Sequence, residues 1–215
     1  MKMKIGVLGT GVVGETLANG FLQDGHEVML GSRDASSEKL SEWGNRQGDR
    51  ASTGDYAEAA AFGNMIVLAT RGVATEEALR MAGPANFTGK IVIDPTNPLD
   101  FSEGFPPKLT IGHTDSLGEV VQRTLPGAHV VKCFNTVGHD LMVRPQIEGG
   151  PPTMFICGND ATAKKHVREI LESWNWEVSD IGGIEASRFL EPMCAVWVLD
   201  AARDDHWIQA FKMLR

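Results

Sequence analysis

Gly9, Thr10, Gly11, Val12, Val13 and Gly14 place three glycines at the spacing G-x-G-x-x-G. Each glycine in such a turn has its own task. The first allows a tight turn, the second lets the backbone approach a pyrophosphate, and the third lets the following helix pack closely on the preceding strand. The chemistry on offer is capture of a dinucleotide, because unpaired amides at the start of a helix face the phosphates and the helix dipole favours negative charge there. Glycines are common, so the flanking elements decide whether the spacing means anything.

Those elements fit. An apolar strand is expected at Lys4–Leu8, an amphipathic helix over Val12–Gln23 that ends at Asp24-Gly25, and a second strand at Glu27–Leu30. An NAD-selective site ends that second strand with Asp or Glu for the ribose 2′-hydroxyl. Here it ends in Gly31-Ser32-Arg33, and a hydroxyl beside a planar guanidinium suits the 2′-phosphate of NADP(H). The plainer reading of Arg33 is a solvated surface charge.

Two more stretches should border the same cleft, since ligands of open α/β sheets lie beyond the carboxyl ends of the strands. They are Ala69-Thr70-Arg71-Gly72-Val73 and Asp94-Pro95-Thr96-Asn97-Pro98. Asn97 offers an amide for ribose or nicotinamide, or equally a side chain that closes an Asx turn.

Positioning these residues requires a sheet. Further strands are expected at 51–53, Met65–Ala69, Ile91–Asp94 and His129–Phe134, alternating with helices over Ser37–Trp43, Tyr56–Phe62, Glu76–Met81 and Leu117–Leu125. That alternation gives a doubly wound parallel sheet, an α/β fold of the NADP-binding Rossmann kind. After Val137 the texture changes, and Arg144-Pro145 and Gly149-Gly150-Pro151-Pro152 mark a surface loop. A strand at Met154–Cys157, a helix over Ala161–Trp174, a strand at Glu177–Ile181 and a helical region over Ile184–Met213, kinked at Pro192, make a small C-terminal α/β domain. The expected division is a nucleotide-binding domain over 1–139 and a small second domain over 140–215.

Composition narrows the partners. A net charge of −8 opposes general nucleic-acid affinity, which needs clustered Lys and Arg. No apolar run reaches membrane-spanning length, and MKMKIGVLGTG runs directly into the motif without space for a cleaved leader, so a cytoplasmic protein is expected. Cys133, Cys157 and Cys194 lack zinc-site spacing and read as reduced, buried thiols. His113, His129 and His139 are scattered, and Asp204-Asp205-His206 would point in different directions on a helix, so no metal site is assigned. Trp174, Trp176, Trp197, Trp207, Phe189 and Phe211 enrich the C-terminal part in aromatics, chiefly for packing, with an acceptor pocket or subunit interface as the alternatives. Arg188 and Arg203 are either surface charges or contacts for an anionic acceptor tail.

GTGVVG, Ser32-Arg33, the stretch Ile91–Leu99 (IVIDPTNPL) and Val131–Val137 (VKCFNTV) together resemble the coenzyme F420-dependent NADP oxidoreductase family, to which the oxidoreductase domain of the STEAP metalloreductases is related. The resemblance implies NADP(H) along the cleft and a ring acceptor, deazaflavin F420 or a flavin, stacked against the nicotinamide. It implies that Gly9–Gly14 hold the pyrophosphate, that Ser32 and Arg33 hold the 2′-phosphate, and that Asn135, Thr136 and Val137 border the two rings. It also implies a homodimer. Asn135 stands where the archaeal enzymes tend to carry His, which leaves the acceptor open.

Hydride transfer between rings asks for close, dry stacking more than for an acid or base, so no catalytic proton donor is nominated. The leading expectation is an NADPH-dependent oxidoreductase that passes hydride to a small-molecule ring acceptor. One alternative is an imine or carbonyl reductase resembling pyrroline-5-carboxylate reductase, which expects a long helical domain after the Rossmann unit. The other is a non-catalytic NADP(H) sensor.

Overall fold

The computed structural model describes residues 2–214. Strands β1 (Lys4–Leu8), β2 (Glu27–Ser32), β3 (Ala51–Asp55), β4 (Met65–Leu68) and β5 (Ile91–Asp94) join β8 (His129–Lys132) in one six-stranded sheet. Its order is β3-β2-β1-β4-β5-β8 and every neighbouring pair is parallel. The order reverses between β2-β1 and β4, and that switch point opens a crevice at the carboxyl ends of β1 and β4. β1 and β4 are buried almost throughout, as strands with helices on both faces must be, which explains their unbroken apolar runs.

The crossover helices begin on sequence-encoded caps. Ser37 accepts from the Leu40 amide at the start of α2 (Glu38–Arg46), and Ser116 caps α5 (Leu117–Thr124) by accepting from the Glu119 amide. Asp55 and Glu58 form a reciprocal capping box at α3 (Tyr56–Phe62), with bonds of 2.7 and 2.8 Å. The first crossover, α1 (Val12–Gln23), has Gly11 at its N-cap and no side chain capping it. The fourth, α4 (Thr75–Ala82), follows a single 3-10 turn at Gly72–Ala74.

Two features escape the sequence reading. Between β5 and α5 lies a small antiparallel hairpin, β6 (Leu99–Asp100) with β7 (Lys108–Leu109). At the other end, the expected helix over Ile184–Met213 is corrected: α8 (Ser187–Arg203) continues through Pro192 but stops at Arg203. Asp205 adopts φ 49°, and the chain turns back in extended form. The tail is held by the Thr153 amide donating to Phe211 O (2.8 Å) and by reciprocal bonds between Trp197 and Gln209. The expected strand ends at Ala69 and Phe134 likewise shorten to Leu68 and Lys132.

Residues 139–181 comprise α6 (His139–Met142), β9 (Thr153–Ile156), α7 (Ala161–Ser173) and β10 (Glu177–Asp180). β9 and β10 pair in parallel, and Cys157 bridges antiparallel to Lys132 with bonds of 2.9 and 3.2 Å, so the smaller sheet is stitched to the edge of the larger. One core cluster spans both regions, from Ile5, Leu17 and Phe21 to Met154, Val167 and Trp174, with the Phe21 and Trp174 rings 5.0 Å apart. Among the described residues no helix is long and apolar enough to cross a membrane.

Candidate functional site

At the end of β1 the chain turns through Gly9, whose φ of +123° suits only glycine. A Cβ on Gly9 would lie 2.2 Å from Ala69 O, and one on Gly14 would lie 1.9 Å from Gly9 O. Turn and helix therefore meet backbone to backbone. Gly11 differs, since a Cβ there meets nothing within 4 Å. It faces open space at the uncapped start of α1, where a phosphate would find free amides and the positive end of the helix dipole. The residues present fit a dinucleotide.

That space is a cleft of about 650 Å³ between three strand ends. Gly11, Val12 and Val13 line it from the first, Ala69, Thr70, Arg71 and Val73 from the second, and Asn97 from the third. Gly72 packs so tightly that a Cβ there would lie 1.9 Å from Asn97 O, which locks the second and third loops together. Gly9, Thr10 and Gly14 shape the turn behind this wall. Ser32 and Arg33 sit at the end of β2, beyond the cleft lining. Within their loop Asp34 turns its carboxylate onto Ser36 (2.9 Å from the amide, 2.6 Å from the hydroxyl), and these bonds hold its pKa below the usual carboxylate range. Arg33 and Arg71 are exposed, and among the described residues neither pairs with a carboxylate, so an acidic protein keeps two free guanidiniums around this cleft. Burial raises the Tyr56 phenol pKa, and nearby Arg33 partly opposes that.

Asn97 lines the cleft but closes no Asx turn. Its amide donates to Asn135 O at 2.8 Å, and its Oδ1 accepts from Asn135 Nδ2 at 3.0 Å. The Asx bond in this loop belongs to Asp94, whose Oδ1 accepts from the Thr96 amide (2.9 Å) and hydroxyl (2.6 Å). Asn135, Thr136 and Val137 are thus gathered directly behind the cleft wall, all buried. Asn135 Nδ2 also donates to Leu190 O on α8, while its Oδ1 is buried without a partner.

Beneath this wall lies a cluster that sequence reasoning missed. Lys132 is fully buried, with Nζ 2.8 Å from Asp94 Oδ2, 3.0 Å from Glu191 Oε1 and 2.8 Å from Thr96 O. Burial works against the ammonium, but Asp94 and then Glu191 outweigh it and hold the Lys132 pKa above the ordinary lysine value. Glu191 also accepts from the Leu117 and Gly118 amides at the start of α5, both at 2.9 Å. One cation thereby ties the ends of β5 and β8, the start of α5 and the middle of α8 to the loop carrying Asn97. The available signal was a lysine inside the apolar run Val130–Phe134, a position that demands a buried counter-charge.

The hairpin was missed as well, although Leu99, Asp100, Phe101 and Ser102 complete the cleft. Arg188 is not free for an acceptor: its Nε and Nη2 donate to Glu119 at 2.8 and 2.5 Å. Trp174, Trp176 and Trp197 are core residues, whereas Phe189 and Trp207 are exposed. The three thiols are free and buried, and burial pushes Cys157 up to about 11 and Cys194 to about 12.

Residues 4–98 match the family described as NADP oxidoreductase, coenzyme F420-dependent. A solved structure of a proposed F420-dependent NADP reductase from Arthrobacter sp. FB24 is 41% identical, covers 99% of this chain and 100% of its own, and superposes with a TM-score of 0.93. The metalloreductase STEAP3 of Rattus norvegicus is 26% identical over 87% of this chain, which spans only 36% of that relative's length. A reductive aminase of Aspergillus terreus in complex with NADPH shares the fold alone, at 17% identity and TM-score 0.65 over 95% of this chain and 64% of its own. With its glycine turn, its cleft at the strand switch point and a relative similar over its whole length, the chain belongs to the coenzyme F420-dependent NADP oxidoreductase family.

Proposed function

We propose that this protein binds NADP(H) in the described cleft and transfers hydride between it and a flat ring acceptor, coenzyme F420 or a flavin. The carrying observation is the open cradle over Gly11 at the uncapped N-terminus of α1, with the free guanidinium group of Arg71 on the same cleft and that of Arg33 after the end of β2. The backbone amides of Gly11 to Val13 face the pyrophosphate, Ser32 and Arg33 take the 2′-phosphate, and the backbone from Ala69 to Gly72 follows the nicotinamide ribose, which leaves the side chains of Val12 and Val73 free. Asn97, Asn135, Thr136 and Val137 back the ring-binding end, where Asn135 Oδ1 has acceptor capacity to spare. When bound, NADPH supplies two electrons and a proton as hydride, and the ring takes these with one further proton from water to reach its dihydro form. The chain's own work is to hold the rings in register and exclude water, with no side chain assigned as acid or base. Residues 1–139 carry the nucleotide and 140–215 close the acceptor side. Phe189 and Val196, exposed on α8, support a homodimer.

The imine reductase alternative expects a long helical unit after the sheet, whereas residues 139–203 here hold two strands and helices of at most 17 residues. The test is anaerobic absorbance of NADPH with F420, FMN and riboflavin. Coupled bleaching of nicotinamide and acceptor supports the proposal. Tight NADPH binding with no oxidation by any of the three leaves the sensor reading in its place.

A further inference from the structure

Three large apolar side chains stand exposed in a single cleft: Val12 at 57%, Val73 at 60% and Phe101 at 52%. A phosphate needs amides and cations, not this surface. Apolar groups exposed together inside a concavity mark the seat of an apolar ligand face.

Phe101 is the least expected of the three. It comes from the small hairpin, and its backbone is held firmly. β6 and β7 pair Leu99 with Leu109 and Asp100 with Lys108, and the Thr110 amide donates to Pro98 O at 2.8 Å. Asp100 accepts from the Ser102 amide (2.9 Å) and hydroxyl (2.8 Å), and the Gly104 amide donates to Phe101 O at 3.0 Å. Glu103 and Lys108 form an ion pair across the hairpin. The root is anchored as well, because Leu99 packs against the α8 cluster of Cys194, Trp197 and Val198. Yet among the described residues Phe101 belongs to no core cluster and to no ring pair. The backbone is fixed and the ring is unused.

We propose that Phe101 is a stacking residue for the hydride acceptor, with Val73 and Val12 completing the apolar seat. The hairpin of the nucleotide-binding part therefore selects for flat conjugated rings, and the acceptor side is not built from residues beyond 140 alone. Aromatic faces prefer offset stacking on a planar π-system, which favours a tricyclic deazaflavin or flavin over a small aliphatic carbonyl or imine. This inference rests on the hydride-transfer reading for the identity of the ligand, but its test is separate.

Riboflavin and F420 are titrated by fluorescence into the NADP⁺-saturated protein, and NADPH is titrated into the protein alone, for wild type, Phe101→Ala and Phe101→Trp. The expected result is ring binding weakened roughly tenfold or more by Phe101→Ala and restored by Phe101→Trp. NADPH affinity should stay within about twofold throughout. Ring binding unchanged by Phe101→Ala overturns the inference, as does wild type that binds neither ring. Loss of NADPH affinity in step with ring affinity also overturns it, because Phe101 would then cover the nicotinamide. Wild-type turnover with the same acceptors reports on hydride transfer, so turnover beside a ring affinity that Phe101→Ala leaves unchanged overturns this inference and not that reading.

Discussion

Replacing Lys132 by Met removes one buried charge and strands two others. Lys132 Nζ is the only cation within reach of Asp94 and Glu191 among the described residues, and all three side chains are at most 1% exposed. Glu191 would keep its two amide donors, but Asp94 Oδ2 has no hydrogen-bond partner apart from its contact with the ammonium, so the loss falls mainly on Asp94. Breaking a buried pair from one side costs about 3–5 kcal/mol. At about 2–4 °C per kcal/mol for a chain of this size, calorimetry should record a Tm lower by roughly 6–20 °C.

The pH dependence carries a sign. The folded pKa of wild-type Lys132 lies above its ordinary value of 10.5, so its stabilisation is complete below that pH and is lost as pH rises through the folded value. Lys132→Met lacks that group, so the gap between wild type and variant narrows as pH rises through the folded lysine value. Adding Asp94→Asn should recover part of the loss. A penalty under about 1 kcal/mol, or a gap that stays unchanged as pH rises above 10.5, refutes the charge argument.

Arg33→Ala should weaken NADPH binding by roughly 10–150-fold, the loss of about 1.5–3 kcal/mol from charge-assisted bonds, while NADH affinity is unchanged by calorimetric titration. Gly11→Ala should fold within about 1 kcal/mol of wild type, because its methyl enters open space, yet lose at least about tenfold in NADPH affinity. Gly14→Ala, whose methyl would lie 1.9 Å from Gly9 O, should by contrast lower Tm before any ligand is added.

The glycine turn and the cleft beside it were legible because their signals are local. Glycine spacing, an apolar strand and a helical period lie within thirty residues or so of one another, and βαβ geometry then dictates where they meet. The remainder was hidden for physical reasons. β6 and β7 have two residues each, too short for any periodicity, so the hairpin bearing Phe101 reads as loop. The buried cluster joins Asp94 to Glu191 through nearly a hundred intervening residues, and no local pattern reports such a pairing. The residues after Arg203 keep an apolar texture that imitates a helix, but their hydrogen bonds run to β9 and Trp197. Asn97 lines the cleft as its place after β5 implied, but its pairing with Asn135 was hidden because that residue lies on a different strand end.

The most direct test of the central claim is an anaerobic single-turnover experiment with NADPH deuterated at the transferring C4 position and one equivalent of F420, FMN or riboflavin. Hydride transfer predicts matched loss of nicotinamide and acceptor absorbance, slowed by the deuterium with every acceptor, and deuterium retained on carbon 5 of reduced F420. Bound nucleotide that stays reduced with all three acceptors, or reduced F420 that carries no deuterium, contradicts it.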